Sequence, residues 1–108
     1  MFSSFSVIGP VPNAKAADNK VFDIVEITDF HGQLLDSTNT KPVGAALAKV
    51  VKDVKTANPD RTLIIGGGDL YQGTPVSNVL RGVPVQQVFS NMGMEVTALG
   101  NHEFDWGL

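Results

Sequence analysis

Three short runs rich in apolar and β-branched residues alternate along the chain with polar, glycine-containing stretches and with segments of helical periodicity. Val21-Phe22-Asp23-Ile24-Val25-Glu26-Ile27-Thr28 predicts a first strand. Thr62-Leu63-Ile64-Ile65 predicts a second; its apolar character is that of a strand buried on both faces, which favours a parallel sheet. Glu95-Val96-Thr97-Ala98-Leu99 predicts a third. Residues 29–40 have turn chemistry, with Gly32, Asp36, Ser37 and Asn39. Beyond them Leu47, Val50, Val51 and Val54 recur at helical spacing, and Lys49, Lys52, Asp53 and Lys55 take the other face. Pro42 can open that helix, and Asn58-Pro59-Asp60 ends it. Residues 75–80 predict a short helical piece. Residues 84–92 predict a longer one, with Val85, Val88, Phe89 and Met92 on one side and Gly93 as its carboxyl cap. The order β-loop-α-β-loop-α-β-loop predicts an α/β fold of parallel strands with helical crossovers. Right-handed crossovers put all three post-strand loops on the same side.

Those loops hold the chemistry. Asp29-Phe30-His31, Gly68-Asp69 and Gly100-Asn101-His102-Glu103 each follow a predicted strand, at the end where open α/β sheets bind ligands. Carboxylate, imidazole and amide groups on one rim make a hard-to-borderline metal site. A phosphate ester resists water because its own negative charge repels nucleophiles. Two divalent ions about 4 Å apart neutralise that charge, acidify a water and orient an in-line attack. Asp29 and His31 are two apart, so both can face one ion. Asp69, beside Gly66-Gly67-Gly68, is the natural bridging carboxylate. Asn101 offers an amide oxygen to a second ion. His102 would sit beside that ion, where an imidazole can hydrogen-bond phosphate oxygens and protonate a leaving alkoxide. A carboxylate must hold its tautomer. Asp105 is preferred, because one helical turn returns it to the same face; Glu103 is the rival. Taken singly, each of these residues reads as a turn former, a helix cap or a surface histidine. Three such signals at successive strand ends point to a site. A dinucleotide-binding reading fails, since Gly66-Gly67-Gly68 does not make G-x-G-x-x-G and an acid stands where a pyrophosphate needs donors.

Composition narrows the partners. The net charge is −3 with acids and bases interspersed, so no basic patch offers a nucleic-acid footprint. No apolar run approaches the roughly 20 residues of a membrane span. The chain has no cysteine, which excludes disulfides and thiolate ligands. Ala14-Lys15-Ala16 follows a mildly apolar start and a proline, as at a signal-peptidase site, although a basic leading region is missing. Residues 1–20 are therefore read as a signal-peptide remnant of an exported protein (extracellular, periplasmic or wall-associated), or alternatively as a disordered arm.

Thr28-Asp29-Phe30-His31-Gly32, Gly67-Gly68-Asp69-Leu70-Tyr71-Gln72-Gly73-Thr74-Pro75 and Leu99-Gly100-Asn101-His102-Glu103-Phe104-Asp105 resemble the first three signature blocks of the calcineurin-like metallophosphoesterases. Within that superfamily they are most similar to the secreted 5′-nucleotidase branch, which includes UDP-sugar hydrolases and 2′,3′-cyclic-nucleotide phosphodiesterases. The resemblance covers residues 21–108 and implies the amino-terminal part of the family's βα sandwich. It implies Asp29 and His31 as ligands of a first ion, Asp69 as the bridge, Asn101 as a ligand of the second, and His102 with Asp105 as the catalytic dyad. The two ions would be zinc, manganese, iron or cobalt. Later blocks of the family carry further histidines, including Gly-His-x-His, and a separate carboxyl-terminal domain recognises the nucleoside. This chain has two histidines, both already assigned. The expectation is an incomplete domain, residues 21–108, inactive alone, within a longer enzyme that hydrolyses phosphate esters of nucleotides. Diester cleavage of 2′,3′-cyclic nucleotides or nucleotide sugars is one alternative. A non-catalytic metal-binding module is another; His102 argues against it, because Asn101 alone would suffice to hold an ion.

Overall fold

The computed structural model describes residues 18–107. The signal-like reading of residues 1–20 lies outside them except for its last three residues. Strands β1 (Asp23–Ile27), β2 (Thr62–Gly66) and β3 (Val96–Thr97) form one parallel sheet in the order β1-β2-β3. Helix α1 (Val43–Ala57) links β1 to β2, and the short α2 (Pro75–Asn78) and α3 (Val83–Met92) link β2 to β3. The fold is α/β with parallel strands and helical crossovers. Ile27 pairs with Gly66, and Gly66 with Thr97. The strands therefore end in one row, and all three following loops leave from the same edge.

One face of the sheet carries the core. Ile27 and Ile64 meet Val51 of α1, Val85, Phe89 and Met92 of α3, and Phe30 and Leu70 from the first two post-strand loops. The Phe89 ring stands edge-on to Phe30, centroids 5.1 Å apart, and to Tyr71 at 6.3 Å. Phe89 therefore anchors both loops to the helical layer. The α3 boundary follows local chemistry: Gly93, at φ 85°, turns its N–H back to the carbonyls of Phe89 and Ser90.

Three sequence expectations are corrected. β2 is not buried on both faces: Thr62, Ile64 and Gly66 are buried, but Leu63 shares an open face with Ile24 and Val96, which are 67% and 60% exposed. Consecutive right-handed crossovers that step along the sheet in one direction deliver both helices to one side. Val50, placed on the apolar stripe of α1, is 61% exposed, because a single contact layer covers only the stripe through Gly44, Leu47, Ala48 and Val51. β3 is two residues long rather than five, since it has one neighbour and its chain turns off after the Ala98 N–H donates to the Gly66 carbonyl.

Phe89 is 2% exposed and joins helix, sheet and both loops. Phe89→Ala should cost about 3–5 kcal/mol of folding stability, read from urea denaturation of the folded protein. A loss below about 1 kcal/mol would show that the site relaxes around the void.

Candidate metal centre

Parallel pairing continues past the ends of β1 and β2. The Gly67 N–H donates to the Ile27 carbonyl at 2.8 Å, Asp29 to Gly68 at 3.1 Å, His31 to Asp69 at 3.0 Å and Gly32 to Leu70 at 2.9 Å. The two loops thus run side by side off the sheet. Phe30 and Leu70 turn into the core, at 8% and 0% exposure. Their neighbours Asp29, His31 and Asp69 all hold left-handed backbone, with φ of 51°, 48° and 53°. Such angles are uncommon outside glycine and cluster at functional sites. Gly68, at φ 99°, admits the close approach of the third loop: a Cβ there would stand 2.7 Å from the Gly100 nitrogen. A side chain on Gly100 would in turn overlap the Asp69 carboxylate.

This backbone brings one ligand atom each from Asp29, His31 and Asp69 within 4.8 Å of one another. The His31 Nδ1–H donates to the Gln72 carbonyl at 3.1 Å, which orients the ring with Nε2 3.9 Å from Asp29 Oδ1. Thr28 donates its hydroxyl to Asp29 Oδ2 at 2.6 Å. Among the described residues no Lys or Arg pairs with Asp29 or Asp69. Two carboxylates and an imidazole, with a hydrogen-bonded outer shell and no Lys or Arg partner among the described residues, fit a divalent metal ion.

The third loop closes on this group. The His102 ring lies 5.1 Å from the His31 ring, centroid to centroid, and the His102 N–H donates to Asp69 Oδ1 at 2.9 Å. A 3-10 turn at His102–Phe104 carries Asp105 back to the imidazole, where Asp105 Oδ2 accepts from Nδ1 at 2.7 Å. The Asp105 hydrogen bond, against some desolvation and with the charges of Asp105, Asp69 and Glu103, raises the His102 pKa above its ordinary value. Asn101 is exposed and its side chain makes no hydrogen bond among the described residues, but the N–H groups on either side of it are both anchored to neighbouring carboxylates.

Of Glu103 and Asp105, Asp105 is the one in contact with the His102 ring. Glu103 points the other way and accepts from the N–H groups of Asp69, Leu70 and Gly100 at 2.7–2.8 Å. The spacing Gly100 to Glu103 is the available signal: an acid three residues past a turn's start reaches back to the free N–H there, as in a capping box. Burial alone would raise the Glu103 pKa, but the N–H groups of Asp69, Leu70, Gly100 and Tyr71 outweigh it and hold the carboxyl below its ordinary value.

A depressed carboxylate stabilises the fold above its unfolded pKa, about 4.3, and loses that contribution as pH falls through the lower folded value. The melting temperature should therefore drop as the protein is acidified below about pH 5. Glu103→Ala, which removes the group, should flatten that part of the profile. An acid slope identical in the two proteins would mean that other carboxylates carry it.

No family model matches the chain. The chain is 36% identical over 107 residues to a cell wall protein of Listeria monocytogenes, a match spanning 86% of this chain and 14% of that one. It is 41% identical over 95 residues to the 5′-nucleotidase of Bos taurus, with 79% of this chain and 16% of that one covered. The trifunctional nucleotide phosphoesterase of Bacillus subtilis is 28% identical over 125 residues, across 95% of this chain and 8% of its own length. The chain thus spans less than a fifth of the length of these relatives. With acid and histidine blocks gathered on one sheet rim and likenesses along most of its length, the chain belongs to the metallophosphoesterases, in their 5′-nucleotidase family.

Proposed function

We propose that the protein hydrolyses phosphate esters of nucleotides, with Asp29, His31 and Asp69 as ligands of one divalent ion, Asp69 and Asn101 as ligands of a second, and His102 with Asp105 as its proton-transfer pair. The observation that carries this reading is the convergence of Asp29, His31 and Asp69 within 4.8 Å, each on strained left-handed backbone. Divalent ions held there supply the positive charge that offsets a phosphate ester's own and acidifies a water. The chain's residues do the rest. Asp105 keeps the proton on His102 Nδ1, so Nε2 faces outward to donate to a phosphate oxygen or to the leaving alkoxide. The raised pKa keeps that ring protonated nearer neutrality, as an acid must be. This assignment gives three donors to the first ion and two to the second, against four for a four-coordinate ion. The remaining ligands and the nucleoside pocket are therefore assigned to other parts of the full-length protein, residues 21–108 forming part of the catalytic domain.

The nucleotide substrate is supported by the names of the bovine and Bacillus subtilis relatives. The second of these, called trifunctional, keeps a second reading in view: cleavage of diesters such as 2′,3′-cyclic nucleotides or nucleotide sugars by the same centre. Export is supported by Ala14-Lys15-Ala16 and by the cell wall relative.

Phosphate release from AMP by the manganese-loaded full-length protein tests the activity. His102→Ala should lower kcat by about 10²–10⁴-fold; undiminished turnover would remove His102 from the mechanism. Because His102 acts protonated, the rate should fall as pH rises through its raised pKa. Asp105→Asn should start that fall at a lower pH, and an unmoved alkaline limb would detach Asp105 from the ring. For export, mass spectrometry of the protein recovered outside the cytoplasm should find Ala17 as its first residue. An intact Met1 in protein confined to the cytoplasm would refute it.

A further inference from the structure

We propose that Glu103 is a positioning residue that locks the loops after β2 and β3 into the arrangement the metal centre needs, a role that rests on the reading of Asp29, His31 and Asp69 as ligands. Two connections run in opposite directions between these loops. Glu103 Oε2 accepts from the N–H groups of Asp69 at 2.8 Å and Gly100 at 2.7 Å, and Oε1 accepts from Leu70 at 2.7 Å. In return, Asp69 Oδ1 accepts from the His102 N–H at 2.9 Å. Each loop lends a carboxylate to the other's backbone, and the clamp closes on itself.

Three site features depend on this clamp. The left-handed backbone of Asp69, at φ 53°, is tied on its N–H side by Glu103 and on its carbonyl side by the His31 N–H. The Asp69 carboxylate is aimed by the His102 N–H, which keeps Oδ1 engaged and leaves Oδ2 without a hydrogen-bond partner among the described residues. Asn101, whose own side chain is untethered, sits between two N–H groups that are both held. Release of Glu103 would free three donors and let the third loop, with Asn101 and His102, drift from Asp69. Close placement of the loops is also enforced sterically, since neither Gly68 nor Gly100 has room for a side chain.

The chemistry of the clamp requires glutamate. Each oxygen accepts at least one N–H, so glutamine, identical in shape, would turn an NH₂ group against a donor in either orientation. Aspartate is one methylene shorter and cannot span both loops.

The test uses full-length protein, with manganese as the probe. Manganese affinity is measured by calorimetric titration, and kcat and KM by phosphate release from AMP. Glu103→Gln should weaken manganese binding about 10–100-fold and lower kcat, with the KM for AMP little changed at saturating metal. A variant that melts lower yet binds manganese as tightly as wild type would reduce Glu103 to a structural role and overturn the proposal. Wild-type protein that binds no manganese would instead sink the ligand reading itself. Hydrogen exchange on the wild-type protein decides the case even if the variant does not fold. The amides of Asp69, Leu70 and Gly100 should open together as one protected group, whereas fast and unlinked exchange would show that no clamp exists.

Discussion

The parallel pairing of β1 with β2 does not stop where the strands stop, and the candidate site depends on that continuation. Hydrogen bonds from Asp29 to Gly68, His31 to Asp69 and Gly32 to Leu70 carry the ladder out over the sheet's edge. Without them Asp29, His31 and Asp69 would be loop residues free to diverge. The extension has a cost, since left-handed backbone at a non-glycine residue is unfavourable by about 1–3 kcal/mol each. Burial of Phe30, between two strained residues, and of Leu70, next to the third, offsets it at roughly 1.5–3 kcal/mol for each large apolar side chain. Phe89 receives Phe30, so the rim chemistry is tied directly to the packing of α3.

Much of this was legible in the sequence. Apolar runs that break off into Asp, His and Gly state both where the strands end and what stands at their ends. A βαβαβ order then obliges those ends to share an edge. The meeting of Asp29, His31 and Asp69 follows from topology, with no detail of packing needed. The pairing of His102 with Asp105 follows in the same way from a spacing of one turn.

What escaped was set by tertiary context. Leu63 looks like a core residue in its run, but only the handedness and direction of both crossovers decide which sheet face the helices cover. Val50 and Val51 are equally apolar, and the single contact layer over α1 buries one of them. Asp and His are several-fold enriched in left-handed backbone, yet it holds only a few per cent of non-glycine residues, so their conformation at the rim has little signature of its own. Glu103, the rival to Asp105, shows the same limit: its contact with Gly100 has a local spacing, but its reach to Asp69 and Leu70 is fixed by where the second loop lies.

Four carboxylates meet at this rim, and their partners separate them by task. A carboxylate has about four lone-pair sites. Glu103 gives three of them to the backbone N–H groups of Asp69, Leu70 and Gly100 and keeps little acceptor capacity in reserve. Asp105 is turned to the His102 ring. Asp69 is engaged by one N–H and Asp29 by one hydroxyl, which leaves both with acceptor capacity facing each other and the His31 Nε2. With one donor each and no Lys or Arg partner among the described residues, Asp29 and Asp69 leave acidic acceptor sites side by side. Coulomb repulsion between two such groups grows as they approach. The carboxylates whose open acceptor sites face one another are thus the ones the fold holds together, and a divalent cation is a counter-charge that their separation fits.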